Sequence, residues 1–124
     1  MHGVNTHGVI LFAHGSRDPQ WRRPVEAVAQ RILQLRPGVQ VRCAYLELCE
    51  PDLPSAAAEL VQAGVTGLTV LPVFLGAGKH AREDLPVLIA QVRAAHPQLG
   101  LQLLAAVGED PRALDLIAQI ALGL

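Results

Sequence analysis

Three side chains able to bind a metal or move a proton stand at even intervals: His14, Glu47 and His80, each 33 residues from the next. Each follows an apolar run. Ile10-Leu11-Phe12-Ala13 precedes His14, Ala44-Tyr45-Leu46 precedes Glu47, and a run ending at Phe74-Leu75 precedes Gly76-Ala77-Gly78-Lys79-His80. Two imidazoles and one carboxylate leave coordination positions open, as suits a metal that must exchange ligands. Imidazole favours zinc, copper, iron, nickel or cobalt over magnesium or calcium. A histidine at a strand end can equally be a hydrogen-bonded structural residue, so spacing alone leaves both readings open.

The neighbouring residues admit paired readings of the same kind. Ser16 and Asp18 could orient His14 through its second ring nitrogen, or cap the helix that follows. Arg17, Lys79 and Arg82 flank the histidines and would suit a polyanionic substrate bearing carboxylates; equally, they are solvated loop charges. Glu83 and Asp84 fit the first turn of a helix, where acids are favoured. Trp21 packs at a helix start or faces a flat ligand. Cys43 and Cys49 read as small, buried apolar side chains. If the second strand stayed regular, they would share a face with Tyr45 and Glu47, and Cys49 could then be a soft ligand. His2 and His7 fall in a segment expected to fray. His96 falls at a helix end, where a cation favours the dipole.

Two common chemistries fail on spacing. A Walker A loop needs Gly five residues before Gly78 and Ser or Thr after Lys79; the chain has Val73 and His80. No nucleotide site is therefore expected, and Gly76 and Gly78 read as a tight turn. Ser16 lacks the Gly-x-Ser-x-Gly elbow of a serine hydrolase.

The elements that must position these residues alternate. Residues 8–13, 39–48, 67–75 and 100–107 read as strands. Residues 22–35, 55–63, 83–95 and 109–122 read as helices, the first with apolar positions Val25, Val28, Ala29, Ile32, Leu33 and Leu35. Pro72 is awkward in a central strand, so irregular pairing is expected near that strand's end. Pro86 is tolerable only in a first turn. Four β-α units imply an α/β fold: a flavodoxin-like, doubly wound, four-stranded parallel sheet in the order 2-1-3-4. Crossovers should be right-handed. Ligands then bind outside the carboxyl ends of the strands, at the switch point between strands one and three. Adjacent strands lie about 4.8 Å apart, and His nitrogen or carboxylate oxygen sits roughly 2.0–2.2 Å from a metal. Side chains at neighbouring strand ends can meet that demand.

Composition narrows the class. With 124 residues, one domain spanning 1–124 is expected. The chain is 51% hydrophobic and 3% aromatic, so Ala, Leu and Val build the core. A net charge of −1 argues against nucleic-acid binding driven by bulk charge. No apolar stretch reaches the roughly 18 residues of a membrane span, and Met1 to His7 lacks the regions of a signal peptide. Two cysteines make no disulfide framework. A cytoplasmic, reducing setting is expected.

His14-Gly15-Ser16-Arg17, Tyr45-Leu46-Glu47 with Glu50-Pro51, Pro72-Val73-Phe74-Leu75, Gly76-Ala77-Gly78-Lys79-His80 and Asp84-Leu85-Pro86 occur in one order over residues 8 to about 110. In these motifs the chain resembles the small CbiX-type chelatases of the class II chelatase family. The resemblance implies ATP-independent insertion of a divalent metal into sirohydrochlorin, a tetrapyrrole bearing eight carboxylates. Larger relatives hold two such halves, so this chain corresponds to a single chelatase half-domain and implies a homodimer. His14 and His80 match the metal-binding histidines and proton acceptors, and Glu47 the acidic residue near the metal. Arg17, Lys79, Arg82 and Ser16 are the candidates for substrate binding. Cobalt, placing the protein in cobalamin synthesis, is expected from the likeness; iron and nickel are the alternatives. A non-catalytic metal or tetrapyrrole carrier, or a flavodoxin-like interaction domain, would share the fold.

Overall fold

The computed structural model describes residues 6–124; His2 lies outside them. The elements run β1 (His7–Ala13), α1 (Pro19–Leu35), β2 (Gln40–Tyr45), α2 (Leu53–Gln62), β3 (Gly67–Pro72), α3 (Lys79–Ala95), β4 (Gly100–Leu103), a 3-10 turn (Val107–Glu109) and α4 (Pro111–Leu122). The four strands form one parallel sheet in the order β2-β1-β3-β4. Order and direction match the sequence reading, because strands of a parallel sheet are apolar on both faces and stand out as continuous runs.

Register divides the sheet into two unlike faces. Ile10 and Phe12 of β1, Ala44 of β2 and Leu68 and Val70 of β3 point to one side, where Leu53, Ala56, Ala57 and Leu60 of α2 and Ala81, Ile89 and Val92 of α3 close over them. Most of these side chains are entirely buried, each stabilising the fold by about 1.5–3 kcal/mol if it is Val, Leu, Ile or Phe. The opposite face carries Leu11, Ala13, Cys43, Tyr45, Thr69 and Leu71. There α1 packs over β1 and β2, yet neither α1 nor α4 has a single buried residue.

Several boundaries differ from expectation, for identifiable reasons. Both long helices begin earlier than residues 22 and 83. Pro24 and Pro86 lie inside α1 and α3, past the first turn. Pro86 is expected only in a first turn, but both rings sit on exposed parts of their helices, and each removes one hydrogen bond without ending the helix. Because α3 starts at Lys79, its first turn holds Lys79 and His80, and Glu83 and Asp84 fall beyond it. Strand β2 stops at Tyr45, so a common strand face does not extend to Glu47 and Cys49. Strand β3 ends at Pro72, where the missing donor was expected to disturb pairing. Strand β4 ends at Leu103 and the chain turns into the 3-10 segment. His7 belongs to β1 rather than a frayed end, with its Nε2 3.3 Å from Thr69 Oγ1. His96 caps the C-terminus of α3. Both cysteines are only partly buried and unpaired.

Candidate active site

His14 and Glu47 come together because β1 and β2 keep hydrogen-bonding beyond their regular ends. The Leu46 amide donates to the Ala13 carbonyl at 3.0 Å, and the Glu47 amide to the His14 carbonyl at 3.1 Å. The two side chains therefore emerge side by side at the carboxyl edge. His14 Nε2 lies 4.0 Å from Glu47 Oε1, with both side chains about half exposed (51% and 49%). That separation exceeds a hydrogen bond but lets the carboxylate attract a protonated imidazole. Gly15 makes the close approach possible. Its φ is +106°, and a Cβ placed there would collide with the Glu47 carbonyl oxygen. Only glycine meets both conditions without strain.

Asp18 caps α1, and Ser16 holds the turn before it. The Asp18 amide donates to Ser16 Oγ at 3.0 Å, and Asp18 Oδ1 accepts from the Gln20 amide at 2.9 Å at the start of α1. Of the two readings open for them, the structure displays helix capping at Asp18. Arg17 stands exposed between them.

The third expected residue arrives from a different element. After β3, the Val73 amide still donates to the Phe12 carbonyl at 2.8 Å. The chain then turns through Gly76 to Gly78 into α3, and His80 is exposed in the first turn of that helix. Lys79 Nζ is 4.0 Å from Glu83 Oε1. Arg82 donates from Nη1 to the Ala77 carbonyl at 2.9 Å and so braces the turn. Among the described residues, no three His, Cys, Asp or Glu side chains are grouped closely enough to hold an ion. The structure thus brings His14 to Glu47 and leaves His80 outside that pair.

Beside His14 opens an apolar cavity of about 490 Å³, walled by Trp21, Pro24, Val25 and Val28 of α1 and by Ala13, Val73 and Phe74. Trp21 is 41% exposed, and its ring centroid lies 6.3 Å from that of Tyr45. The pair was not foreseen, although the Ala13–Tyr45 register places Tyr45 on the face that α1 covers. Trp21 thus packs at the helix start, as the first of its two readings has it, and also walls a space next to His14.

Burial, the nearby Cys43, Glu26 and Cys49 and, in the opposite sense, Arg22 push the Tyr45 phenol up to about 12. Burial and Glu26 likewise raise the Cys43 thiol, against a hydrogen bond with Tyr45. Tyr45 is the chain's one tyrosine, so its ionisation is directly visible near 295 nm. The native protein is expected to titrate near pH 12, and the unfolded chain near pH 10. A raised pKa means that folding holds the proton: this contribution to stability is complete below about pH 10 and is lost as pH rises through about 12. A native midpoint at the ordinary value would show that Tyr45 is solvated.

A model of the CbiX family matches residues 8–121. A sirohydrochlorin cobaltochelatase of Methanopyrus kandleri is 36% identical over 81 residues, which are 65% of this chain and 57% of that protein. The chain thus spans little more than half that relative's length. A structure described as that of a CbiX protein from Marinobacter aquaeolei superposes with a TM-score of 0.79 at 33% identity, covering 94% of this chain and 95% of that one. The sirohydrochlorin chelatase SirB of Bacillus subtilis, solved with cobalt, has a TM-score of 0.79 at 21% identity, covering 97% of this chain and 51% of that one. The second likeness is one of fold.

Proposed function

The chain belongs to the CbiX family, and from that premise we propose that it is a sirohydrochlorin cobaltochelatase acting without ATP in cobalamin synthesis. The observation that carries the proposal is the His14–Glu47 pair at the rim of an apolar cavity large enough to accept part of a flat macrocycle. Residues 1–124 act as one chelatase unit in a cytoplasmic homodimer.

The chemistry follows from what insertion requires. Sirohydrochlorin enters with two N–H protons and leaves without them as the divalent metal takes the four ring nitrogens. A neutral imidazole can bind the incoming metal or take a proton at physiological pH, but one nitrogen cannot do both at once. In this reading His14 and His80 share those duties, with Glu47 placed to stabilise the imidazolium of His14 or to ligate the metal. Few protein ligands and open coordination positions let the metal leave. Arg17, Lys79, Arg82 and the Ser16 hydroxyl are assigned to the substrate carboxylates. Arg82 already spends one donor on the Ala77 carbonyl, which also fixes the turn carrying His80. Cobalt follows the names of the relatives, since ligand affinity alone discriminates poorly among divalent ions; iron and nickel are the alternative substrates.

Two readouts test this proposal. Trp21 is the single tryptophan and walls the cavity, so its emission is expected to be quenched on titration with sirohydrochlorin. Unchanged emission would place the macrocycle elsewhere. With protein at one-tenth the macrocycle concentration and Co²⁺ in excess, many metallated rings per chain are expected. No more than one per chain would instead indicate a carrier.

A further inference from the structure

The stretch that delivers His80, from Phe74 to Gly78, has little packing of its own. An added Cβ at Gly76 or Gly78 would meet nothing within 4 Å, and Leu75 is 68% exposed. Backbone ties place it instead. At its start, the Val73 amide is bonded to the Phe12 carbonyl, two residues before His14. The Phe74 ring stands edge-on to that of Phe12, with centroids 5.9 Å apart. At its end, α3 holds the chain from within: the Arg82 amide donates to the Gly78 carbonyl at 3.0 Å, and the Arg82 guanidinium to that of Ala77. Leu75 and Gly76 lie between those ties.

Gly108 holds this middle part from outside. Its amide donates to the Phe74 carbonyl at 2.8 Å. A Cβ on Gly108 would collide with the Leu75 carbonyl oxygen, with the carbonyl carbon and Cα close behind. All three atoms are backbone, so no side-chain rotation relieves the clash. The φ of Gly108 lies outside the left-handed region, so the close approach alone requires glycine here. Gly108 is itself fixed. It is the central residue of the 3-10 turn Val107–Glu109. The Glu109 amide closes that turn on the Ala106 carbonyl at 2.8 Å, and the Asp110 amide on that of Val107 at 3.0 Å. Before the turn, the Leu104 amide ties the exit of β4 to the Val70 carbonyl of β3 at 2.9 Å. After it, Asp110 caps α4, accepting from the Arg112 amide at 2.9 Å. The β3 and β4 exits thus meet through Gly108 as the β1 and β2 exits meet through Gly15.

We propose that Gly108 is a positioning residue: its contact with Phe74 and Leu75 sets where this stretch leaves the sheet, and so where the His80 imidazole stands relative to His14. The effect on rate rests on the chelatase reading; the effect on geometry does not. A methyl added at Gly108 must push Leu75 away, and His80 follows five residues on, in the first turn of α3. The tie of Val73 to Phe12 lies before the displaced part, so His14 keeps its place beside Glu47. Gly108 brings no side chain to the reaction, and its influence passes through His80. Misplacing a reacting group by about 1 Å can cost 10²-fold in rate.

Histidine labelled with ¹³C reads the geometry without activity. Gly108→Ala is expected to shift the ring signals of His80, assigned by their loss in His80→Ala, and to leave those of His14 unmoved. In the insertion assay at saturating macrocycle and Co²⁺, Gly108→Ala is expected to fall about 100-fold. Added to His80→Ala, it should cost nothing further, since one residue acts through the other. Gly100→Ala is the control: its methyl makes an ordinary 3.6 Å contact with the Thr66 carbonyl, and the rate should hold. One measurement needs no variant to fold. In the unsubstituted protein, the Gly108 amide should exchange with solvent about 100-fold or more slowly than an exposed amide. Unmoved His80 signals, a double variant slower than His80→Ala by the full Gly108→Ala factor, or fast exchange at Gly108 would each overturn the proposal. Shifted His80 signals in a protein without insertion activity would instead fail the chelatase reading and uphold the placement of His80 by Gly108.

Discussion

Replacing His14 by alanine is expected to lower the rate of metal insertion about 100-fold or more while leaving the protein folded. A positioned acid–base group typically contributes 10²–10⁴-fold, and His14 would also lose its role towards the metal. Its side chain is half exposed and lies outside the α2–α3 core, so the stability cost should stay within about 0.5 kcal/mol. His80→Ala tests the second histidine by the same assay. Because His80 comes from α3 rather than a strand end, the two substitutions separate their roles. If His80 serves mainly the metal, its loss should be partly recovered at high Co²⁺, whereas loss of a proton acceptor at His14 should not. Equal, unaltered rates in both variants would remove them from the mechanism.

Gly15→Ala is expected to be the most damaging single-methyl change near the site. A non-glycine residue at φ +106° costs roughly 1–3 kcal/mol, and the new Cβ meets the Glu47 carbonyl, backbone that cannot rotate away. The β1 and β2 exits must then part, and with them His14 and Glu47. A fall in Tm of about 10 °C and an insertion rate near that of His14→Ala are expected. Gly64→Ala is the matched control: its φ is +97°, but nothing lies within 4 Å of the added methyl. It should show only the backbone cost and keep full activity. If both glycine variants behave alike, the contact with Glu47 does not position the site.

The sheet order and the alternation of elements were legible because buried parallel strands and amphipathic helices have different periods. The start of α3 was not, since proline favours a first turn only by statistics and Pro86 sits past it. That error hid the placement of His80, which spacing alone put in a loop. The nearness of His14 to Glu47 was foreseen from strand order, but its cause was not. It depends on hydrogen bonds past the strand ends and on the space that Gly15 leaves, both long-range facts. The Trp21–Tyr45 pair likewise depends on register. It has no local sequence signal.

The central claim is that this chain catalyses insertion. The direct measurement is the absorbance change of sirohydrochlorin under anaerobic conditions, with Co²⁺, Ni²⁺ and Fe²⁺ supplied singly and in competition. The expected initial rate is proportional to protein concentration, highest for Co²⁺, and falls to near background in His14→Ala. Rates equal to the protein-free control for all three metals would contradict it.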